Sequence, residues 1–170
     1  MAEKVRDKFA RGIYVVSKDG LFSELITYEY EDPDGYYSSL TKSELEATLS
    51  GFKKGMEEAL KEERILVNGS EVKPKVKSVT MTHPYGTRRV DVTFFIQFRA
   101  KLGKDNSYEN IYESGVATYN FEALWLFPPR TKIIEVRSSG VVEKLASNIV
   151  KIFGWKGMKY DGYDMIRFQF

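Results

Sequence analysis

Across residues 90–100 apolar and polar side chains alternate almost without a break, and a second alternating run covers residues 117–127. Successive side chains of an extended strand point to opposite faces, so Val90, Val92, Phe94, Ile96, Phe98 and Ala100 share one side. Ala117, Tyr119, Phe121, Ala123, Trp125 and Phe127 do the same in the second run. A helix does not repeat every second residue. Two long strands with oily faces need a common interior, and the remaining chain must cover it.

Shorter patterns fill in the rest. Ile13 to Val16 and the alternating Phe22, Ile26, Tyr28 and Tyr30 flank Lys18-Asp19-Gly20, which predicts a hairpin, with residues 5–9 before it read as a short helical turn. Asp32-Pro33-Asp34-Gly35 suits a type I turn, because proline presets the backbone angle of its second position. Thr41 and Glu44 then form a T-x-x-E capping box, with Leu40 and Leu45 at the staple positions. Leu45, Leu49, Phe52, Met56 and Leu60 recur at helical spacing and predict one amphipathic helix over about 42–62. Gly51 and Gly55 lie one turn apart beside that stripe, each costing about 1 kcal/mol relative to alanine. Close approach of a neighbouring backbone accounts for such a pair; a hinge or a ligand groove is the alternative.

Beyond the helix the pattern is extended. Asn68-Gly69 is the dipeptide favoured where both turn residues need positive φ, so residues 65–67 and 71–76 form a hairpin. Val72, Pro74 and Val76 share one parity whereas Val79 and Met81 fall on the other, which requires a bulge or break near Lys77 and Ser78. Residues 89–101 and 108–113, either side of a polar loop at 104–107, read as a long central pair. Pro128-Pro129 stops the second alternating run, and residues 133–136 form another short strand. Residues 141–153 support two readings: Val141, Val142, Leu145, Ile149 and Ile152 fit a second helix over about 140–153, while Asn148 followed by 149–153 fits a turn and a strand. The last strand, 163–170, leaves Asp161-Gly162 with Asp164, Ile166, Phe168 and Phe170 on one side. The class is α+β, mainly antiparallel β as a sandwich or strongly bent sheet, in a single domain over 1–170. A sub-division into a hairpin-plus-helix part (1–63) and a β-rich part (64–170) is the alternative.

Composition narrows the function classes. The 170 residues contain no cysteine, which excludes disulfides and thiol catalysis. Lys and Arg total 26 against 24 Asp and Glu, so charge alone gives no reason to expect a polyanion. Glu3, Lys4, Arg6, Asp7 and Lys8 interrupt any apolar run at the start, and no stretch reaches the roughly 18 apolar residues of a membrane span, so the expectation is a soluble, cytoplasmic protein with no membrane partner. Charged residues at 29% with only two glutamines, Gln97 and Gln169, resemble a thermophile's composition. No nucleotide or metal signature is present, so neither a cofactor nor a metal is expected.

Candidate sites are few. His83, the single histidine, lies in Thr82-His83-Pro84-Tyr85-Gly86, where turn chemistry accounts for it and no catalytic triad is spaced around it. Glu29, Glu31, Asp32 and Asp34 lack the regular spacing of a calcium loop. Lys73, Lys75 and Lys77 beside Pro74, with Arg88 and Arg89, would either contact phosphates or keep an edge strand from pairing with another chain. Asn68-Gly69-Ser70 matches a glycosylation acceptor, for which its turn role suffices. Tyr28, Tyr30, Tyr36 and Tyr37 cluster around the first turn, and Phe95 sits on the polar side of its strand; together they are the candidate partner- or ligand-binding residues.

No catalytic residue is assigned, and three function classes follow. The first is a non-enzymatic protein-binding or scaffold module that uses a sheet face or edge against a protein partner or a second copy. The second is a small enzyme built on carboxylates or Tyr and Lys side chains, which predicts a deep pocket holding at least two groups with shifted pKa values. The third is single-stranded nucleic-acid binding, which predicts one continuous stripe of Lys73, Lys75, Arg88 and neighbouring rings.

Overall fold

The computed structural model describes residues 5–84 and 88–170; Tyr85 and Gly86 of the histidine loop, and Glu3 and Lys4, lie outside the described residues. In chain order, β1 (Arg6–Val16) and β2 (Leu21–Glu31) form the first hairpin, and a single 3-10 turn at Tyr37–Ser39 leads into α1 (Lys42–Glu62). Next come β3 (Arg64–Val67), β4 (Ser70–Val72), β5 (Lys75–Thr82) and β6 (Arg89–Arg99). The C-terminal half is extended throughout: β7 (Asp105–Ile111), β8 (Gly115–Val116), β9 (Asn120–Leu126), β10 (Lys132–Arg137), β11 (Val141–Ala146), β12 (Ile149–Gly154), β13 (Lys159–Tyr160) and β14 (Tyr163–Gln169). The α+β class and the mainly antiparallel sheets agree with the sequence. No helix among the described residues is long and apolar enough to cross a membrane.

Seven strands form one sheet in the order β11-β12-β9-β1-β2-β6-β5, five form a second in the order β10-β14-β7-β3-β4, and β13 pairs with β8 as a small ribbon. Among the described pairings, β1 with β9 is parallel and the others are antiparallel. The turns follow their residues. Asn68 and Gly69 take φ of 51° and 77°, as the tight β3–β4 hairpin demands. The parity slip in β5 is a bulge between Val76 and Ser78. Thr41 and Glu44 make the reciprocal capping box, and α1 begins and ends where its periodicity predicts.

Three expectations are corrected. Residues 141–153 are not a second helix but the β11–β12 hairpin, turning at Ser147 and Asn148. Val141, Val142 and Leu145 are exposed, so their helical spacing marks no buried stripe, and the β-branched residues of this segment suit an extended backbone. Residues 6–9 are strand, not a helical turn, because they extend β1 to pair with the far end of β2. Finally, β6 and β7 are not a pair. The 100–104 connection carries the chain from one sheet to the other, so β6 lies between β2 and β5 while β7 lies between β14 and β3.

One face of the seven-stranded sheet carries the core, and it is covered in two ways. At one end Val16, Phe22, Phe98, Trp125 and Val150 meet Ile65, Val67, Tyr108, Ile166 and Phe168 of the five-stranded sheet. At the other end Val76, Val90, Val92, Phe94 and Ile96 are covered by α1 through Phe52, Met56 and Leu60. Each fully buried aliphatic or aromatic side chain here contributes about 1.5–3 kcal/mol relative to exposure. A helix about 10 Å across and a sheet do not present one continuous surface. The gap between the two covers is where the polar groups collect.

Candidate functional site

The gap is a cavity of about 410 Å³ floored by β1, β2 and β9 and walled by the end of α1, β7 and β14. Glu24 stands on its floor. It occupies an inward position of β2, between Phe22 and Ile26 in the row that faces the core, and is 4% exposed. Its Oε1 has no hydrogen-bond partner. Tyr14 and Trp125, cross-strand partners in the parallel β1–β9 pair, stack beside it with ring centroids 4.3 Å apart. Tyr108 of β7 closes on the same tryptophan at 4.6 Å.

Two more carboxyls enter from the walls. Glu63 caps the C-terminus of α1 and accepts a 3.0 Å hydrogen bond from Asn110 Nδ2, which leaves Asn110 Oδ1 without a partner. Asp164 of β14, register partner of Asn110, accepts from the Tyr112 hydroxyl at 2.8 Å. Burial dominates the electrostatics. The Glu24 carboxyl is pushed up from 4.5 to about 8 by burial and then by the charge of Glu63. Burial also raises Glu63, with Asp164 adding to the effect and Asn110 opposing it. Asp164 is raised by burial against the opposing hydrogen bonds of Ser138 and Tyr112. Burial, reinforced by these carboxylates, drives the hydroxyls of Tyr14 and Tyr108 well upward, so both stay protonated.

One cation lines this cavity, Arg11, and its Nε is paired with Glu122. Glu24, Glu63 and Asp164 therefore share a ring-lined space with no free counter-ion among the described residues. Such a site can hold a proton or a cationic group. Among the described residues, no three Asp, Glu or His side chains converge as ligands of a metal ion.

The residues singled out from sequence fall in several places. Tyr28 lines the cavity, and with Tyr30 it lines a second, open cleft of about 450 Å³ running under α1. Gly51 and Gly55 border that cleft, and a Cβ at either would meet nothing within 4 Å. The expected close backbone approach is absent; the pair leaves groove space. Tyr37 packs on Phe52 at the outer end, while Tyr36 is exposed. Phe95 is opposite Leu25 on the uncovered face of the large sheet. Lys75 and Lys77 lie on the edge strand β5, and Lys73 precedes it, paired with Glu71. Arg88 and Arg89 open β6, where Arg89 is held by Asp91 and Glu29. Lys75 is opposite Gln97, so it sits roughly 26 Å along the strand from Arg89 at about 3.3 Å per residue. His83 is exposed. Asp32 is buried and accepts from the backbone N–H groups of Tyr36 and Tyr37, a structural use of that acidic turn.

Glu24, Glu63, Asn110 and Asp164 were not singled out, yet two of them carried a signal. Glu24 shares parity with Phe22, Ile26 and Tyr28, and Asp164 shares parity with Ile166 and Phe168. A carboxyl on the inward row of a strand has to be desolvated, which is unfavourable unless it is used.

No protein-family model matches this chain, and no curated protein matches it in sequence. Among solved structures it is similar to native leukotriene A4 hydrolase from Saccharomyces cerevisiae, at 13% identity and a TM-score of 0.37 over 96% of this chain and 28% of that one. It is also similar to a putative protease from Parabacteroides distasonis, at 10% identity and a TM-score of 0.39 over 100% of this chain and 41% of that one. The chain thus spans less than half of either protein, and likenesses this distant leave its function open.

Proposed function

We propose that this chain is a small-molecule-binding domain whose site is the cavity between α1 and the two sheets. The observation that carries this reading is Glu24: a carboxyl 4% exposed, with an unpartnered oxygen, opening on a space of about 410 Å³ lined by Tyr and Trp rings. Leaving such a group unpaired costs about 1–3 kcal/mol or more, and a bound molecule would recover it. Ligand sites are typically apolar concavities with a few convergent polar groups, and this one has that composition. The neighbouring carboxyls with raised pKa values add the acid–base groups that a small enzyme would need. Binding is the narrower claim, since it needs only the unpartnered acceptor and the ring-lined space.

Fragment titration followed by amide NMR tests the reading. Shifts should concentrate at Glu24, Asn110, Tyr108 and the Trp125 indole; shifts confined to the outer sheet face would refute it. That outer face carries the second reading, docking of a protein partner or a second copy. Val15 and Leu25 are each 43% exposed there, and Leu25 lies directly between Ile13 and Phe95. Light scattering with and without Leu25→Lys tests it: a monomer at all concentrations, with no loss on substitution, counts against self-association.

A further inference from the structure

We propose that the molecule this cavity takes is a compact organic ammonium ion, a primary or secondary amine with an apolar or aromatic body, whose N–H groups donate to Glu24 Oε1 and Asn110 Oδ1. The inference rests on the cavity being a ligand site and adds the chemistry of what enters it.

Hydrogen-bond polarity comes first. Three unpartnered oxygens belong to residues lining the space, Glu24 Oε1, Asn110 Oδ1 and Asp164 Oδ1, and the amide of Asn110 cannot turn over without losing its bond to Glu63 Oε2. Asp164 accepts the Tyr112 hydrogen bond at Oδ2 alone. The vacant valences therefore call for donors, and an ammonium carries up to three of them in one small group. Charge comes second. Four carboxyls line the space, those of Glu24, Glu63, Glu122 and Asp164, against one guanidinium, which Glu122 engages. Glu63 moreover ends α1, where the partial negative charge of the helix terminus adds to the same field. An anionic molecule would find one cation here, already engaged by Glu122, whereas a cationic one finds several carboxyls able to pair with it. Shape comes third. The stacked Tyr14–Trp125 pair and Tyr108 supply ring faces that attract both a cation and an apolar body. A bare metal ion would leave most of 410 Å³ unfilled, and among the described residues no three-ligand cluster awaits one.

Binding is coupled to one proton. Below about pH 8 the free domain holds a proton on Glu24, and an ammonium ion can pair only with the carboxylate. Glu24 then releases its proton to solvent as the ammonium enters; equivalently, the free amine takes that proton from Glu24. Either route ends in the same ammonium–carboxylate pair, and affinity rises up to tenfold per pH unit until about pH 8. The groups facing Glu24 are Tyr14 from β1, Tyr28 from β2, Glu63 from the end of α1, Tyr108 from β7 and Asp164 from β14, with Arg11 further along β1. The tyrosines stay neutral across this range.

Isothermal titration of the full chain with phenethylamine, 2-phenylethanol and 3-phenylpropionate at pH 6 and pH 8.5 decides the matter. Phenethylamine should bind at least tenfold tighter than the alcohol at pH 8.5 and weaken by more than tenfold at pH 6, and at pH 6 it should release close to one proton when two buffers of different ionisation enthalpy are compared. Glu24→Gln should erase the preference for the amine over the alcohol. The wild-type proton count stands on its own if that variant does not fold. Equal or tighter binding of the alcohol or the carboxylate, or Mg²⁺ or Ca²⁺ displacing the amine, overturns the ammonium inference but keeps the cavity as a site. Binding of none of the three, together with an NMR fragment screen that leaves Trp125 and Asn110 unmoved, overturns the site itself.

Discussion

Replacing Glu24 with glutamine should flatten the dependence of folding stability on pH. In the folded chain this carboxyl titrates near 8, against about 4.5 when it is free in water. Between those values the folded state keeps a proton that the unfolded chain has already released. Stability therefore falls as pH rises through this window and levels off above about 8. At about 1.4 kcal/mol per pH unit the full effect is roughly 5 kcal/mol. Set against the 5–15 kcal/mol of an ordinary domain, that is a large share. The Glu24→Gln chain keeps the shape and cannot ionise. It should match the wild type within about 1 kcal/mol at pH 5 and exceed it by about 3–5 kcal/mol at pH 9. Urea titrations at pH 5, 7 and 9, followed by tryptophan fluorescence and far-UV circular dichroism, give both free energies by linear extrapolation. Glu63 and Asp164 are present in both chains, so the difference reports Glu24 together with its coupling to Glu63. Two stability profiles that run parallel from pH 5 to pH 9 would show that Glu24 is not desolvated, and the account of the cavity would fail with it.

Gly51→Ala and Gly55→Ala should each stabilise the chain by about 1 kcal/mol, because both are helical and nothing lies within 4 Å of the added carbon; a loss in urea titration would mean that something fills the groove after all. Thr41→Ala should cost about 1 kcal/mol and Thr41→Ser only a few tenths, since the hydroxyl that accepts from the Glu44 amide is the part that matters. Equal midpoints for the alanine variant and the wild type would remove the capping box from the description of α1.

How far the sequence speaks depends on the range of the interaction. The inward row of β6 was legible because Val90, Val92, Phe94, Ile96 and Phe98 all end up buried, and parity is a local property. The cap at Thr41 and the bulge beside Lys77 were legible for the same reason. The β11–β12 hairpin was not, since Val141, Val142 and Leu145 mimic a helical stripe while lying on an exposed outer strand. Strand partners were also hidden: the pairing of Tyr14 with Trp125 joins residues 111 positions apart, and no local pattern announces it. The cavity inherits that difficulty. Glu24 and Asp164 each broke an oily row visibly, but only the topology shows that both rows face Glu63 and Asn110.

The parallel register of β1 against β9 has a consequence for how the chain is made. Among the described residues it is the one seam by which β9, β12 and β11 join β1, β2, β6 and β5, and it ties β1 to a strand that emerges more than a hundred residues later. A nascent chain thus leaves one flank of β1 without its strand partner until residues 120–126 have left the ribosome. Late closure of this seam is built into the order of the strands.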